Sequence, residues 1–117
     1  MKNDNIIADK SKAFALRIIK LYKYLSSEKN EYILSKQILR SGTSIGANVR
    51  EATRAQSKAD FNSKIAIALK EAEETSYWLE LLHESGFIDS DPYNSIYTDC
   101  TELCKILMSI SKPGTVS

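Results

Sequence analysis

The chain has little of what interrupts a helix. Its 117 residues include only two prolines, Pro92 and Pro113, and four glycines, at positions 42, 46, 86 and 114, so long unbroken helices have room to form. No alternating strand pattern and no solenoid-type repeat is visible. Histidine occurs once, as His83, which gives Ser/His/Asp or Cys/His catalysis no partner at a recognisable spacing. Long apolar runs are missing as well. The opening MKNDNIIADK reads as neither a secretory signal nor a membrane span, so the expected compartment is the cytoplasm and no membrane partner is expected. Glycine-rich phosphate loops are also lacking: Gly42 and Gly46 sit inside a helix-spaced stripe with no downstream Lys-Ser/Thr pair.

The same scarcity limits metal chemistry. Cys100 and Cys104 stand one helical turn apart on an apolar stripe, where a metal would need further thiolate or imidazole ligands; the pair reads as buried free thiols in a reducing compartment. Glu80 and His83 have the Glu-x-x-His spacing of di-iron bundles. Such a site requires that motif on two helices and a glutamate on each of the others. The first helix has no glutamate, and Glu51 is what the second offers. No catalytic residue, metal or cofactor is therefore expected, and a metal-dependent enzyme is the alternative these counts weigh against.

What is present fits one domain spanning residues 1–117. Hydrophobic content is 43% and charged content 26%, ordinary for a globular chain. A chain of this size buries roughly 65% of its unfolded surface without staples. Net charge is +1, but unevenly divided. Residues 1–58 carry 12 Lys or Arg against 5 Asp or Glu (+7), and residues 59–117 carry 4 against 10 (−6). Two hairpins of opposite sign in one bundle favour head-to-tail contact between copies.

Periodicity divides the chain into four helices at about 5–26, 30–55, 58–85 and 92–111. The first has the stripe Ile7, Ser11, Phe14, Ile18, Leu21 and Leu25. Ser26 to Asn30 reads as the turn after it. The second helix contains QILRSGTSIGANVREA, which keeps helical spacing with few bulky side chains. Leu34, Ile38, Ser41, Ile45, Asn48, Ala52 and Ala55 form one stripe, and Gln37, Ser41, Ser44, Asn48 and Glu51 a polar one beside it. Gly42 and Gly46, one turn apart, predict a kink or a close crossing. Arg50, Arg54 and Lys58 follow at four-residue intervals as a cationic edge, which either complements the helix dipole or contacts phosphate.

Ser57-x-x-Asp60 has the spacing of a capping box for the third helix, whose main stripe is Phe61, Ile65, Ala68, Ala72, Thr75, Leu79 and Leu82. A second stripe, Ile67, Glu71, Glu74, Trp78 and Leu81, mixes carboxylates with large apolar groups, and Arg40 and Gln37 are the expected partners of those carboxylates. Gly86 and Phe87 predict a left-handed Schellman ending. Asp91-Pro92 predicts the start of the fourth helix, with the stripe Ile96, Cys100, Leu103, Leu107 and Ile110, and Pro113-Gly114 its stop, with a frayed tail beyond Ser111. Short connections make the fold an all-α, antiparallel up-down-up-down four-helix bundle. Most of the six tyrosines fall at packing positions. Trp78, beside Glu71 and Glu74, suits an interface, with Ile67 and Leu81 as its companions.

QILRSGTSIGANVREA, followed by ADFNSKIAIALKEAEETSYWLELLHESGFI, resembles the four-helix-bundle proteins encoded by intervening sequences of bacterial 23S rRNA genes. The resemblance runs from about Phe14 to Leu107. It rests on Gln37, Arg40, Ser44, Ile45, Asn48, Glu51 and Ala52 in the second helix and on Phe61, Ala68, Glu74 and Leu79 in the third. It implies a bacterial bundle that assembles into a ring, typically a homopentamer. A related branch serves diversity-generating retroelements, binding a reverse transcriptase and nucleic acid.

Two readings of function follow. In one, a non-enzymatic self-associating bundle serves as a binding or scaffold module that contacts RNA or a ribonucleoprotein through Lys10, Arg17, Lys36, Arg50, Arg54 and Lys58. In the other it is a protein-protein scaffold alone, its basic side covered by the acidic side of the next subunit. In both, Gln37, Arg40, Ser44, Asn48, Glu51, Glu71 and Glu74 are expected to form a structural polar network.

Overall fold

The computed structural model describes residues 2–111, with side chains from Asn5 onward. Four α-helices make up the described chain: α1 (Lys2–Ser27), α2 (Leu34–Thr53), α3 (Lys58–Glu84) and α4 (Ser90–Ser111), with no strand among the described residues. Each packs on its sequence neighbour, and α1 meets α4 to close the bundle. The pairings show every contact to be antiparallel. Gly42 lies against Ile18 and Gly46 against Ser11; Arg40 reaches Glu71 while Glu51 reaches Lys64; Lys10 pairs with Glu102 and Arg17 with Asp99.

The core is built from the expected stripes. Phe14, Ile18 and Leu25 from α1, Ile38 and Ile45 from α2, Ile65, Leu79 and Leu82 from α3, and Leu103 and Leu107 from α4 are fully buried, and in α2 Val49 is buried where the expected stripe had Asn48, which is half-buried. The small residues of α2 let α1 come close. A methyl group on Gly42 would stand 2.7 Å from Ile18 Cγ1, so of the two expectations for this segment the close crossing is observed, on a helix continuous from Leu34 to Thr53. In the deep core Thr75 Oγ1 lies 2.8 Å from Ser41 Oγ and 2.7 Å from the Glu71 carbonyl oxygen.

The helix ends differ from expectation where side chains override local propensity. α2 begins at Leu34, not near residue 30. Asn30 adopts a left-handed backbone (φ 52°), and the Glu31 carboxylate accepts hydrogen bonds from the N–H groups of Ile33, Leu34 and Ser35 (3.2, 3.0 and 2.7 Å). That carboxylate satisfies three otherwise unpaired donors, so the helix starts after it. At its other end α2 stops at Thr53. Lys58 therefore opens α3 and does not extend the Arg50–Arg54 edge along one helix. Ser57 accepts from the Asp60 N–H at 3.0 Å, the forward half of the expected box. The Schellman ending is complete: Gly86 has φ +87°, its N–H bonds to the His83 carbonyl, and the Phe87 N–H bonds to that of Leu82. α4 begins at Ser90, one residue before the expected Asp91 cap, because the Tyr93 N–H already bonds to the Asp89 carbonyl. The expected Pro113-Gly114 stop and tail lie outside the described residues.

Candidate interaction surfaces

Three faces carry the chemistry. The first is the outer seam of α2 and α3. Arg40 bridges to Glu71 (3.1 Å) and to Glu74, and Glu74 also accepts from the Trp78 indole N–H at 3.0 Å. Glu71 is the most covered member, with 15% of its side chain exposed against 50% for Arg40. Ile67 (38% exposed), Trp78 and Leu81 flank this clamp, and Ile33, 75% exposed, lies at the start of α2. The stripe of carboxylates and large apolar residues is thus a surface feature, with Arg40 as the expected partner.

The seven residues expected to form one polar network are divided into local groups. Arg40, Glu71 and Glu74 are joined. Asn48 donates to the Ser44 carbonyl (2.9 Å) and lies 3.2 Å from its hydroxyl, within one turn of α2. Glu51 pairs with Lys64 at 3.0 Å, and the hydrogen bond that Lys64 donates to this carboxylate, followed by the carboxylate's charge, holds the ammonium above its usual range. Gln37 is exposed and makes no side-chain hydrogen bond among the described residues. The separation follows from side-chain reach: contacts along one helix face at four-residue spacing are satisfied locally before they link. Lys64 was not anticipated, although its position three residues before Ile67 places it on the same edge.

The second face is a groove between α1 and α2, a cavity of about 600 Å³ with small side chains (Ala8, Ala15, Gly46, Ala47) along it and Lys12, Arg50 and Arg54 at its rim. None of these three cations makes an ion pair among the described residues. Lys12 was overlooked in the sequence because it stands in a mixed run; its place in the groove comes from the Gly46–Ser11 crossing.

The six candidate nucleic-acid contacts are therefore not one surface. Arg50 and Arg54 line this groove, Lys36 is exposed near the start of α2, and Lys58 opens α3. Lys10 and Arg17 face the other way, on the third face, the α1/α4 seam. There Lys10 pairs with Glu102 (3.2 Å), and Arg17 pairs with Asp99 (2.7 Å) and Ser95 Oγ (3.1 Å).

Elsewhere the polar groups are satisfied within the bundle. Tyr97 donates to Glu80 at 2.9 Å, and this bond, with burial and the carboxylate charge, pushes the phenol up to about 12. His83 stacks on Tyr93 (centroids 4.1 Å apart, planes within 6°) with Nε2 3.3 Å from Ser90 Oγ. Glu80 and His83, the pair with di-iron spacing, are thus engaged by α4. Among the described residues no three His, Cys, Asp or Glu side chains stand close enough together to hold a metal. The Cys100 thiol, buried and donating to the Ala72 carbonyl at 3.3 Å, is driven above its ordinary range by its contact with Cys104 and by burial. No described helix is long and apolar enough to cross a membrane.

Comparison with known proteins agrees with this architecture. No curated protein matches the chain. A crystal structure of a protein of unknown function from the S23 ribosomal protein family of Bacteroides thetaiotaomicron VPI-5482 superposes with a TM-score of 0.93 at 59% sequence identity, covering 94% of this chain and 98% of that one. The model of the 23S rRNA-intervening sequence protein family matches residues 3–109. With that match across nearly every helical residue, the chain belongs to the family of 23S rRNA-intervening sequence proteins.

Proposed function

We propose that this protein is a non-enzymatic bundle that self-associates and serves as a binding or scaffold module in the bacterial cytoplasm, without a cofactor. The observation that carries the reading is the α2/α3 seam. Ile67, Trp78 and Leu81 stand partly exposed around the Arg40 clamp, an apolar surface with a fixed polar centre, the composition that suits the middle of an interface. A ring of copies, five in the reading that the family resemblance suggests, would cover this surface in every subunit.

RNA or a ribonucleoprotein is the partner that the α1/α2 groove favours. Lys12, Arg50 and Arg54 converge there without internal carboxylate partners, and small side chains leave room for a backbone of phosphates. A protein-protein scaffold alone remains the alternative, with the groove covered by another subunit. Light scattering on purified protein at low and high salt, with the absorbance ratio for bound nucleic acid, tests both. Self-association predicts a salt-resistant oligomer. RNA binding predicts nucleic acid that leaves as salt rises, and affinity unchanged across a salt titration refutes it. If Arg50→Glu with Arg54→Glu dissociates the oligomer, the groove belongs to the scaffold.

A further inference from the structure

Three sulfur side chains follow one another at one-turn intervals along α4: Cys100, Cys104 and Met108. We propose that they bind one monovalent copper ion at the outer edge of the α3/α4 seam. The ion is bound and not used in a reaction, so the non-enzymatic reading above is unaffected.

Each step of four residues turns the helix face by about 40°, so the three sulfurs run from the core to the surface. Cys100 is fully buried, Cys104 is half-buried and Met108 is 48% exposed. Side chains on a helix lean towards its N-terminus, which carries Met108 over Cys104 and Cys104 over Cys100. The two thiols are in contact, and Cys100 also donates to the Ala72 carbonyl of α3 at 3.3 Å. Contact with Cys100 holds the Cys104 thiol below its ordinary range, against burial and the charge of Glu73. The deepest sulfur is thus anchored to α3, the middle one ionises more readily, and the thioether stands at the solvent side, where an ion enters.

The spacing suits an ion better than a disulfide. Cβ atoms four residues apart on a helix are about 5–6 Å from each other. A disulfide needs about 3.5–4.5 Å, so closing one would unwind α4 at this point. Thiolate–metal bonds of about 2.3 Å let two sulfurs hold an ion across about 4.6 Å with the helix intact. Zinc and iron sites need further thiolate, imidazole or carboxylate ligands, and no third such group stands close enough among the described residues. A thioether suits Cu(I), a soft ion that is satisfied by few ligands. Met108 raises the set to three.

Charge sets a further condition. Binding replaces both thiol protons, so two thiolates around Cu(I) carry one net negative charge, to which a neutral thioether adds nothing. Glu73, the carboxylate that acts on Cys104 from α3, is in no ion pair among the described residues and opposes that charge from outside the site.

The test uses the full chain, reduced and kept under nitrogen, titrated with Cu(I) in competition with the chelator bathocuproine disulfonate. One copper per chain should survive gel filtration, with sulfur as its only neighbour in copper-edge X-ray absorption. Partners outside a metal's own ligands are worth about 10–100-fold in affinity, so losing the thiolate in Cys104→Ser should weaken binding by more than about 100-fold. Met108→Leu keeps the side-chain volume at an exposed position and should cost about 10-fold. Glu73→Gln should tighten binding by removing the opposing charge. Copper held equally well by Cys104→Ser, oxygen or nitrogen neighbours, or one ion shared between two chains overturns the site. Unchanged affinity in Met108→Leu overturns the three-sulfur set, and weaker binding by Glu73→Gln would make that carboxylate a ligand and overturn it as well. Should Cys104→Ser lose helicity by circular dichroism, alkylation of the unmodified chain decides instead. Cu(I) should then block the reaction of Cys104 with iodoacetamide, located by peptide mass, and a rate unchanged by copper refutes the proposal.

Discussion

The two glycines of α2 should respond oppositely to the same substitution. Alanine in place of a mid-helix glycine gains about 1 kcal/mol of helix propensity. At Gly42 the new Cβ would stand 2.7 Å from Ile18 Cγ1, 2.8 Å from Cγ2 and 3.2 Å from Cβ. Ile18 is fully buried and β-branched, so it has one comfortable rotamer in a helix and cannot swing its methyl groups aside. Relief requires α1 and α2 to separate, and overpacking of this kind costs about 1–3 kcal/mol. Gly42→Ala should therefore be neutral to about 2 kcal/mol destabilising. At Gly46 the nearest atoms are the Ser11 carbonyl and hydroxyl oxygens at 3.4 Å, an ordinary contact. Gly46→Ala should keep most of the propensity gain and stabilise by about 0.5–1 kcal/mol. Urea unfolding followed by far-UV circular dichroism, at one fixed protomer concentration because association adds to apparent stability, reads the difference. A double-mutant cycle sharpens it. Ile18→Ala alone should cost about 2–5 kcal/mol, and adding Gly42→Ala should then be favourable, because the Cβ fills vacated space. Equal stabilisation by both glycine substitutions, or additivity in the cycle, would refute the close crossing as the cause.

Three further outcomes follow from the same geometry. Thr75→Val should destabilise by about 1–3 kcal/mol by leaving the buried Ser41 hydroxyl without its partner, and Ser41→Ala in the same chain should recover part of that loss, measured by urea unfolding. Arg40→Ala should cost about 1–2 kcal/mol, more than an isolated exposed pair because Glu71 is largely covered, and should alter the emission of Trp78 through the freed Glu74. Tyr97 is held protonated in the fold, with its phenol raised from 10.0 to about 12. Its contribution is complete below pH 10 and is lost as pH rises towards 12, so Tyr97→Phe should flatten the fall in thermal stability across that window.

Helical spacing by itself marks much of the core. Ile7, Ser11, Phe14 and Ile18, and likewise Ile65, Ala68, Ala72, Thr75, Leu79 and Leu82, repeat at three- and four-residue steps, and all are buried. A helix presents one face to its neighbours at that period whatever those neighbours are. The Gly86 ending was legible for a similar reason, since a left-handed residue after a helix requires a glycine-like backbone. The start of α2 was not, because the Glu31 carboxylate reaches forward over four residues and no propensity scale records that. Arg40 was identifiable as the partner of Glu71 and Glu74 from its place on the facing stripe.

Which side each cation faces was decided only by the tertiary structure. Lys10, Arg17, Arg50 and Arg54 look alike in sequence, yet Lys10 and Arg17 bind carboxylates of α4 while Arg50 and Arg54 border a groove on α1. Segments far apart in the chain meet at a level set by packing, here by the approach of Gly42 to Ile18. The sequence alone determined four amphipathic helices and the faces they bury, because helical period and side-chain polarity are local properties. The seams, the cavities in them and the charges at their rims depend on how the helices slide and rotate against one another, which close packing of the whole core settles at once.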